Sequence, residues 1–237
     1  MTIPNQLTAL RILLVPVSNF DGNTFVAFID ICGFKEMVIQ RERAWRALDR
    51  FYQLGYDTLK VPQHKNRALG VEGIFVSDCG ILFVRGNDSN IEKLLLLLER
   101  IRKINQGMLA EGFMLTTSIA YGPFKYQERI EFRGIEKNPV YGSAYLGAYL
   151  DSSNERPLIQ PGQCRVVIDN LPPDVIVLLN ERQGEPLSKV LRESSKHYYF
   201  YWNVEAPGQI AGFKVRYADS YNLKFAGMLK ALKGEND

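Results

Sequence analysis

Two aspartates, Asp30 and Asp78, are the residues of this chain whose types and positions best suit chemistry. Each ends an apolar run with the composition of a β-strand, at residues 25–30 and 73–78. The first run leads into a helix, whereas the second ends at the tip of a tight hairpin. The pattern predicts adjacent strands that present two carboxylates at one edge of a sheet. Carboxylate oxygens suit Mg²⁺ or Mn²⁺ and leave coordination positions open for phosphate.

A structural role is the alternative for each acid. An aspartate after a strand is often a turn residue or the N-cap of a helix, and for either residue alone that explanation is as good as metal binding. The occurrence of both, in this order, favours a metal site. Cys32 and Cys79 lie within two residues of the acids. Because hard cations disfavour sulfur, both cysteines are expected to be small residues packed at strand ends.

The hydrophobic pattern predicts alternating strands and helices. The clearest helix begins with the capping box Ser89-Asn-Ile-Glu92 and carries apolar residues at a spacing of three to four as far as Ile104. Further helices are expected from residue 33 to 52, over 142–151 and over 217–232. Strands are expected over residues 24–30, 71–76, 81–84, 113–121, 165–168 and 197–204, with residues 61–69 as a loop and residues 124–132 returning beside the strand that ends at Gly122-Pro123.

This order of elements, β-α-β-β-α-β followed by additions, is the ferredoxin-like plan. It predicts an α+β fold with one mixed β-sheet and with helices packed on one of its faces. Residues 1–23 are interpreted as an N-terminal arm. Residues 24–237 are interpreted as one domain with C-terminal strand and helix additions.

Composition narrows the functional classes. Among 237 residues, 46% are hydrophobic and 23% are charged, which is ordinary for a globular protein. A net charge of +3 does not argue for a nucleic-acid partner. The apolar stretch at residues 9–17 is far shorter than the roughly 20 residues of a membrane span. Three cysteines without paired spacing fit a reducing cytosol, and two histidines outside any Cys/His cluster argue against zinc. We therefore expect a cytoplasmic protein.

The segments around both aspartates resemble the class III nucleotide cyclases. The catalytic domains of that family open with Phe-x-Asp-Ile-x-Gly-Phe, which residues 28–34 match. They then place a second metal-binding aspartate in a hairpin written Gly-Asp-x-x-x-x-x-Phe. Here Ser77 replaces the glycine before Asp78, and Phe83 comes one residue early. The resemblance extends over residues 24–164 and implies the ferredoxin-like nucleotide cyclase fold.

The resemblance also implies a reaction and a set of ligands. A cyclase makes the 3′-hydroxyl of a nucleoside triphosphate attack its own α-phosphate, with pyrophosphate leaving. Two divalent cations, Mn²⁺ or Mg²⁺, serve this chemistry. Asp30, Asp78 and the carbonyl of Ile31 are the implied metal ligands. The backbone N–H groups of Cys32, Gly33 and Phe34 are expected to hold the β- and γ-phosphates, since they begin a helix.

Four further positions depart from the family pattern. The family carries Gly-x-x-Val-Asn-x-Ala-x-Arg on the helix that begins near Gly142, and Leu146 and Leu150 stand in place of its asparagine and arginine. Another cation would have to replace the arginine, and Arg129, Arg133 and Lys137 are near in sequence. Adenylate cyclases read the base with residues at the positions of Ile74 and Pro139, neither of which can hydrogen-bond a purine edge. Stand-alone cyclase domains with this loss resemble the pyrimidine cyclases of bacterial antiphage defence (the Pycsar type).

The resemblance implies a homodimer with active sites at the interface, a nucleoside triphosphate substrate and an effector protein that responds to the cyclic product. A uridylate cyclase is the favoured interpretation, with CTP as the next substrate. Two alternatives stay open. One is a degenerate cyclase-homology domain that binds a nucleotide or a partner without turnover, and the other is an adenylate or guanylate cyclase.

Overall fold

A computed structural model describes residues 19–59, 70–127, 129–132, 135–137, 139–153, 157–220 and 224–234. The loop predicted at residues 61–69 and most of the predicted N-terminal arm lie outside these ranges. The described end of the arm, from Phe20 onward, continues the first strand of the sheet.

The main sheet is mixed and has the strand order β2-β3-β1-β4-β8-β10-β9, with β7 also paired to β4. Strand β1 is central, antiparallel to both β3 and β4, while β4 and β8 run parallel. A separate hairpin is formed by β5 and β6. The strands are β1 (Phe20–Ile31), β2 (Gly70–Val76), β3 (Cys79–Arg85), β4 (Leu115–Tyr126), β5 (Arg129–Phe132), β6 (Ile135–Lys137), β7 (Val140–Tyr141), β8 (Cys164–Val167), β9 (Val190–Arg192) and β10 (His197–Phe200).

The helices follow the predicted plan with additions. The capping box at Ser89 is present, with Glu92 N–H donating to the Ser89 hydroxyl and Ser89 N–H donating to the Glu92 carboxylate. Two short 3₁₀ turns, Leu187–Lys189 and Pro207–Gln209, join the later elements. The α-helices are α1 (Phe34–Val38), α2 (Arg41–Leu59), α3 (Asn90–Ala110), α4 (Ser143–Ser153), α5 (Pro173–Glu181), α6 (Ile210–Ser220) and α7 (Lys224–Lys233).

Alternate residues of β1 pack on opposite sides of the sheet, as the period of a strand requires. Phe25, Ala27 and Ile29 join the main core with residues of α2 and α3. Val26 and Phe28 face the other way, into small clusters with the α4 residues Ala144 and Ala148. The expectation of helices on one face only is therefore wrong. Small alanine side chains let α4 pack closely on the second face, where Asp30 also belongs by alternation.

Strand β4 does not end at Gly122-Pro123 as predicted but continues to Tyr126, paired with β1 throughout. The predicted return strand beside it over 124–132 is therefore wrong, and β7 takes part of that place by pairing with Lys125 and Tyr126. Proline is tolerated where one side of a strand is unpaired. Strand β8 pairs only with residues 117–119 of β4, so Pro123 lies beyond that pairing.

Other predicted boundaries also moved. The helix expected from residue 33 to 52 is broken into α1 and α2, and the strand expected over 197–204 ends at Phe200. The closing helix expected over 217–232 is two helices. The Ser220 hydroxyl donates to the Tyr217 carbonyl at 2.7 Å in the last turn of α6. Helix α5 was not predicted, although Pro173 at its first position is typical of a helix start.

Candidate metal and nucleotide site

Backbone pairing brings Asp30 and Asp78 together. Asp30 is the penultimate residue of β1 and lies opposite Cys79 of β3 and Thr116 of β4. The Ile31 N–H donates to the Asp78 carbonyl at 3.1 Å, so the hairpin tip is tied to the end of β1. The run that ends at Asp78 is β2, which β3 separates from β1, so the prediction that the two strands are adjacent is wrong. The acids still meet, because Asp78 lies in the turn between β2 and β3 and β3 pairs with the end of β1.

The hairpin turn itself has a constrained backbone. Ser77 has a φ of 55°, in the left-handed region that favours glycine. This is the position at which the resembled hairpin motif carries glycine. The Tyr52 hydroxyl of α2 donates to the Ser77 carbonyl at 3.0 Å and holds the turn against the helix. The turn thus presents Asp78 from a fixed position.

Asp30, Asp78 and Cys79 form a compact group. One ligand atom from each lies within 4.8 Å of the others, and all three side chains are partly exposed. The Cys79 thiol donates a hydrogen bond to Asp30 Oδ1 at 3.2 Å. The expected meeting of the two carboxylates is confirmed, while their binding of a metal stays a prediction.

The charges of this group are poorly compensated. Burial raises the pKa of Asp30, and the Asp78 charge raises it further, against the hydrogen bond from Cys79. Burial, followed by the hydrogen bond to Asp30 and the charges of both aspartates, raises the pKa of Cys79 to about 12. Among the described residues, no lysine, arginine or histidine forms an ion pair with Asp30 or Asp78.

The donor set fits a hard divalent cation. Two carboxylates without a protein cation supply the charge and the oxygen atoms that Mg²⁺ and Mn²⁺ require. Hard cations disfavour sulfur, and the raised pKa of the Cys79 thiol favours its role as a hydrogen-bond donor to Asp30. The carbonyl of Ile31 follows Asp30 directly and stays a predicted third ligand.

One of the three backbone N–H groups predicted to hold phosphate already donates a hydrogen bond within the protein. The Cys32 N–H donates to the Met114 carbonyl at 2.9 Å, so this donor is already used. Gly33 adopts a φ of 70° before α1 and is exposed. A phosphate contact in this loop would therefore rely on Gly33 and Phe34, and it stays a prediction.

Helix α4 approaches the same face of the sheet as the acids. Gly142, just before it, has a φ of 133°, and a Cβ atom there would lie 2.2 Å from the Pro123 carbonyl oxygen, so only glycine fits. Tyr145 of α4 packs in one cluster with Phe28 and Cys79. Leu146 and Leu150, at the asparagine and arginine positions of the resembled motif, are 52% and 54% exposed. Neither can donate a hydrogen bond to a nucleotide.

The two predicted base-pocket positions border one apolar cluster. Ile74 of β2 packs against the cluster of Val26 and Phe83, and so does Val140, the neighbour of Pro139. Pro139 is partly buried, and its carbonyl accepts the Gln127 N–H at 3.2 Å. A role in base selection stays a prediction for both. The side chains of Arg129, Arg133 and Lys137 lie outside the described part of the chain.

A second polar group on this face escaped prediction. Asp151, in the last turn of α4, accepts hydrogen bonds from Ser118 at 2.5 Å, Arg165 at 2.6 Å and His197 at 2.7 Å. The Arg165 side chain is fully buried. Burial acts to raise the pKa of Asp151, but the three hydrogen bonds and the Arg165 charge outweigh it and lower that pKa. These four residues lie far apart in the sequence and form no local motif. No short segment therefore indicated that they would meet.

No family model and no curated protein matches the chain. Solved structures do. One is a non-canonical dimeric guanylyl cyclase domain of the RhoGC fusion protein from the aquatic fungus Blastocladiella emersonii, with 11% identity, a TM-score of 0.54, and coverage of 78% of this chain and 97% of that chain. Another is the catalytic core of a rhodopsin-guanylyl cyclase with converted specificity in complex with ATPαS, with 11% identity, a TM-score of 0.51, and coverage of 78% and 98%.

This chain has the fold of these cyclase domains. At 11% identity the likeness establishes architecture and leaves the chemistry to the residues of the site. Within the described ranges, no helix of the cyclase-like fold is long and apolar enough to cross a membrane.

Proposed function

We propose that this protein is a nucleotide cyclase that converts a pyrimidine nucleoside triphosphate into its 3′,5′-cyclic monophosphate and pyrophosphate. UTP is the favoured substrate and CTP the second. The observation that carries the proposal is the convergence of Asp30 and Asp78 within 4.8 Å at one sheet edge, on a cyclase fold.

Asp30 and Asp78 would hold two divalent cations, Mn²⁺ or Mg²⁺, with the Ile31 carbonyl as a further ligand. Such cations, when bound, make the attacking hydroxyl more acidic and neutralise charge on the phosphates. The chain itself supplies position. Strand pairing fixes Asp30, and the Tyr52 bond to Ser77 fixes the turn that carries Asp78. Because the reaction is intramolecular, orientation and charge neutralisation are its main requirements.

The pyrimidine preference rests on two side chains. Ile74 and Pro139 stand where purine cyclases hydrogen-bond the base, and neither can do so. A site built to hydrogen-bond one base rejects others strongly, so loss of both readers removes the usual purine selection. The solved neighbours are named as guanylyl cyclases, and the base preference of this chain is argued from its own residues alone.

We also propose that the active protein is a homodimer with sites at the interface. Exposed apolar residues on and beside α4 support this arrangement: Tyr141, Leu146, Tyr149 and Leu150. Such a surface is costly to leave in water when its members are adjacent. The cyclic product would act as a second messenger on an effector protein, in antiviral defence, and this part of the proposal rests on the family resemblance.

The test is to incubate purified protein with Mn²⁺ and, separately, ATP, GTP, CTP and UTP, and to identify the products chromatographically. Asp30→Asn and Asp78→Asn should each reduce cyclic UMP formation by at least about a hundredfold, because each removes a metal ligand. The control is Asp57→Asn, which changes an exposed aspartate on α2. It should retain full activity.

The other possible outcomes distinguish the alternative functions. Cyclic AMP or cyclic GMP as the sole product would refute the pyrimidine assignment and favour a purine cyclase. No product from any nucleotide, with nucleotide binding retained, would favour the degenerate domain, which the exposed Leu146 and Leu150 also support. Full turnover in Asp30→Asn would falsify the metal-binding role of that residue.

A further inference from the structure

A cavity of about 290 Å³, which none of Asp30, Asp78 and Cys79 lines, lies where the ends of β8 and β10 meet α6 and α7. All of its lining residues belong to the described ranges of the chain. A volume of this size is at the lower end of the range for small-molecule sites.

The interior of the cavity is apolar and largely aromatic. Cys164, Phe200 and Leu232 form its buried walls. The ring of Phe213 lies 6.0 Å from the ring of Tyr201 and 5.6 Å from that of Tyr217, measured between centroids. These are the distances of packed aromatic pairs, so the three rings form one continuous aromatic wall of the cavity.

The polar groups at the cavity leave no unbalanced charge. Glu193 accepts the Tyr201 hydroxyl at 2.8 Å with one oxygen and the Lys214 ammonium at 2.6 Å with the other. A charged ligand would have to break this pair, whereas a neutral ligand would not. The Asn203 amide also lines the cavity, and its one described bond, from Nδ2 to the Leu232 carbonyl, is long at 3.5 Å. An amide in this state can exchange that bond for one to a ligand.

We propose that this cavity binds a neutral, planar nitrogen heteroaromatic ring of about nucleobase size. The ring would pack against Phe213 and Tyr217, and its polar edge would hydrogen-bond the Asn203 amide. This site shares no lining residue with the acidic group, and its test does not depend on cyclase activity.

The chain carries a reporter for this site. Trp202 is buried, and its Nε1–H donates to the carbonyl of Gly162, which lines the cavity. Trp45 is 69% exposed on α2, so Trp45→Phe leaves Trp202 as the single tryptophan. The emission of Trp202 is followed while adenine, cytosine or uracil is added, with cyclohexanol as a non-aromatic probe.

At least one base should give a saturable change with a dissociation constant of about 1 mM or tighter. Asn203→Leu should weaken that binding about tenfold, the value of one hydrogen bond. Gln106→Leu, an exposed change on α3, should leave it unchanged. The absence of saturation with all three bases, or equal binding of cyclohexanol, would overturn the proposal.

Folding of Asn203→Leu is checked by circular dichroism. If that variant does not fold, intermolecular nuclear Overhauser effects in the Trp45→Phe protein decide instead. Effects between the bound base and the ring protons of Phe213 or Tyr217 are expected, and their absence at saturation would overturn the assignment.

Discussion

Two carboxylates on one face of the same sheet have opposite surroundings. Asp151 is enclosed by Ser118, Arg165 and His197, and its pKa is lowered. The neighbours of Asp30 are a second carboxylate, Asp78, and the Cys79 thiol, and the pKa of Asp30 is raised. The first acid has its countercharge inside the protein, so its role is to fasten α4 to β4, β8 and β10. The second has no described countercharge and is suited to a cation from solution.

The largest expected effect on stability comes from removing Arg165, the buried cation beside Asp151. Arg165→Met leaves Asp151 buried without its cation, and we expect the free energy of unfolding to fall by about 3–5 kcal/mol. Chemical denaturation measures this loss. Arg46→Met, at a surface pair 4.0 Å long, should change stability by no more than about 0.5 kcal/mol. A loss below about 1 kcal/mol in Arg165→Met would show that the buried pair is not structural.

Addition of Mn²⁺ should stabilise the folded protein through Asp30 and not through Asp151. A cation that binds only the folded state raises the free energy of unfolding by about 2.7 kcal/mol at one hundred times its dissociation constant. We expect this gain in the unsubstituted protein and in Asp151→Asn, and its loss in Asp30→Asn. Thermal unfolding with and without Mn²⁺ measures it. An undiminished gain in both Asp30→Asn and Asp78→Asn would place the metal elsewhere.

The contributions of Asp30 and Asp151 to stability should change with pH in opposite directions. The folded pKa of Asp30 is above its ordinary value of 3.8, so the folded state holds the proton longer, and the contribution of Asp30 to stability falls as pH rises through that window. The folded pKa of Asp151 is below 3.8, so its contribution is present above that pH and is lost as pH falls through the folded pKa.

Denaturation of the metal-free protein, Asp30→Asn and Asp151→Asn from about pH 3 to about pH 7 tests both signs. Asp30→Asn should gain stability relative to the unsubstituted protein as pH rises. The cost of Asp151→Asn should shrink as pH falls. The same slope for both variants would contradict the difference in surroundings.

The smallest expected effect concerns Cys79. Its hydrogen bond to Asp30 opposes the rise in the pKa of that acid. Cys79→Val removes the donor while keeping a side chain of similar size, so the pKa of Asp30 should rise further, with a stability change within about 1 kcal/mol. Carboxyl ¹³C NMR titration measures the pKa. A fall in that pKa would mean that the thiol bond is not a feature of the charged state.

Local sequence predicted several elements of the core and the meeting of the two acids. The capping box at Ser89, the apolar strand before Asp30 and the hairpin around Asp78 are encoded within short segments, and the structure contains all three. The acids were found because each follows its own apolar run. Boundaries failed where distant pairing decides them, as at Pro123, which stays within β4 because β1 extends alongside it.

The group around Asp151 could not be predicted, because Ser118, Arg165 and His197 come from three strands far apart in the chain. Nor could the second face of the sheet, which α4 covers with Ala144 and Ala148. The identity of the charged residues and the position of the strands follow from short segments of the chain, since hydrophobic period and turn chemistry act over a few residues. Which acid meets a cation inside the protein depends on the folded arrangement, because burial and Coulomb interaction depend on distances that strand order sets.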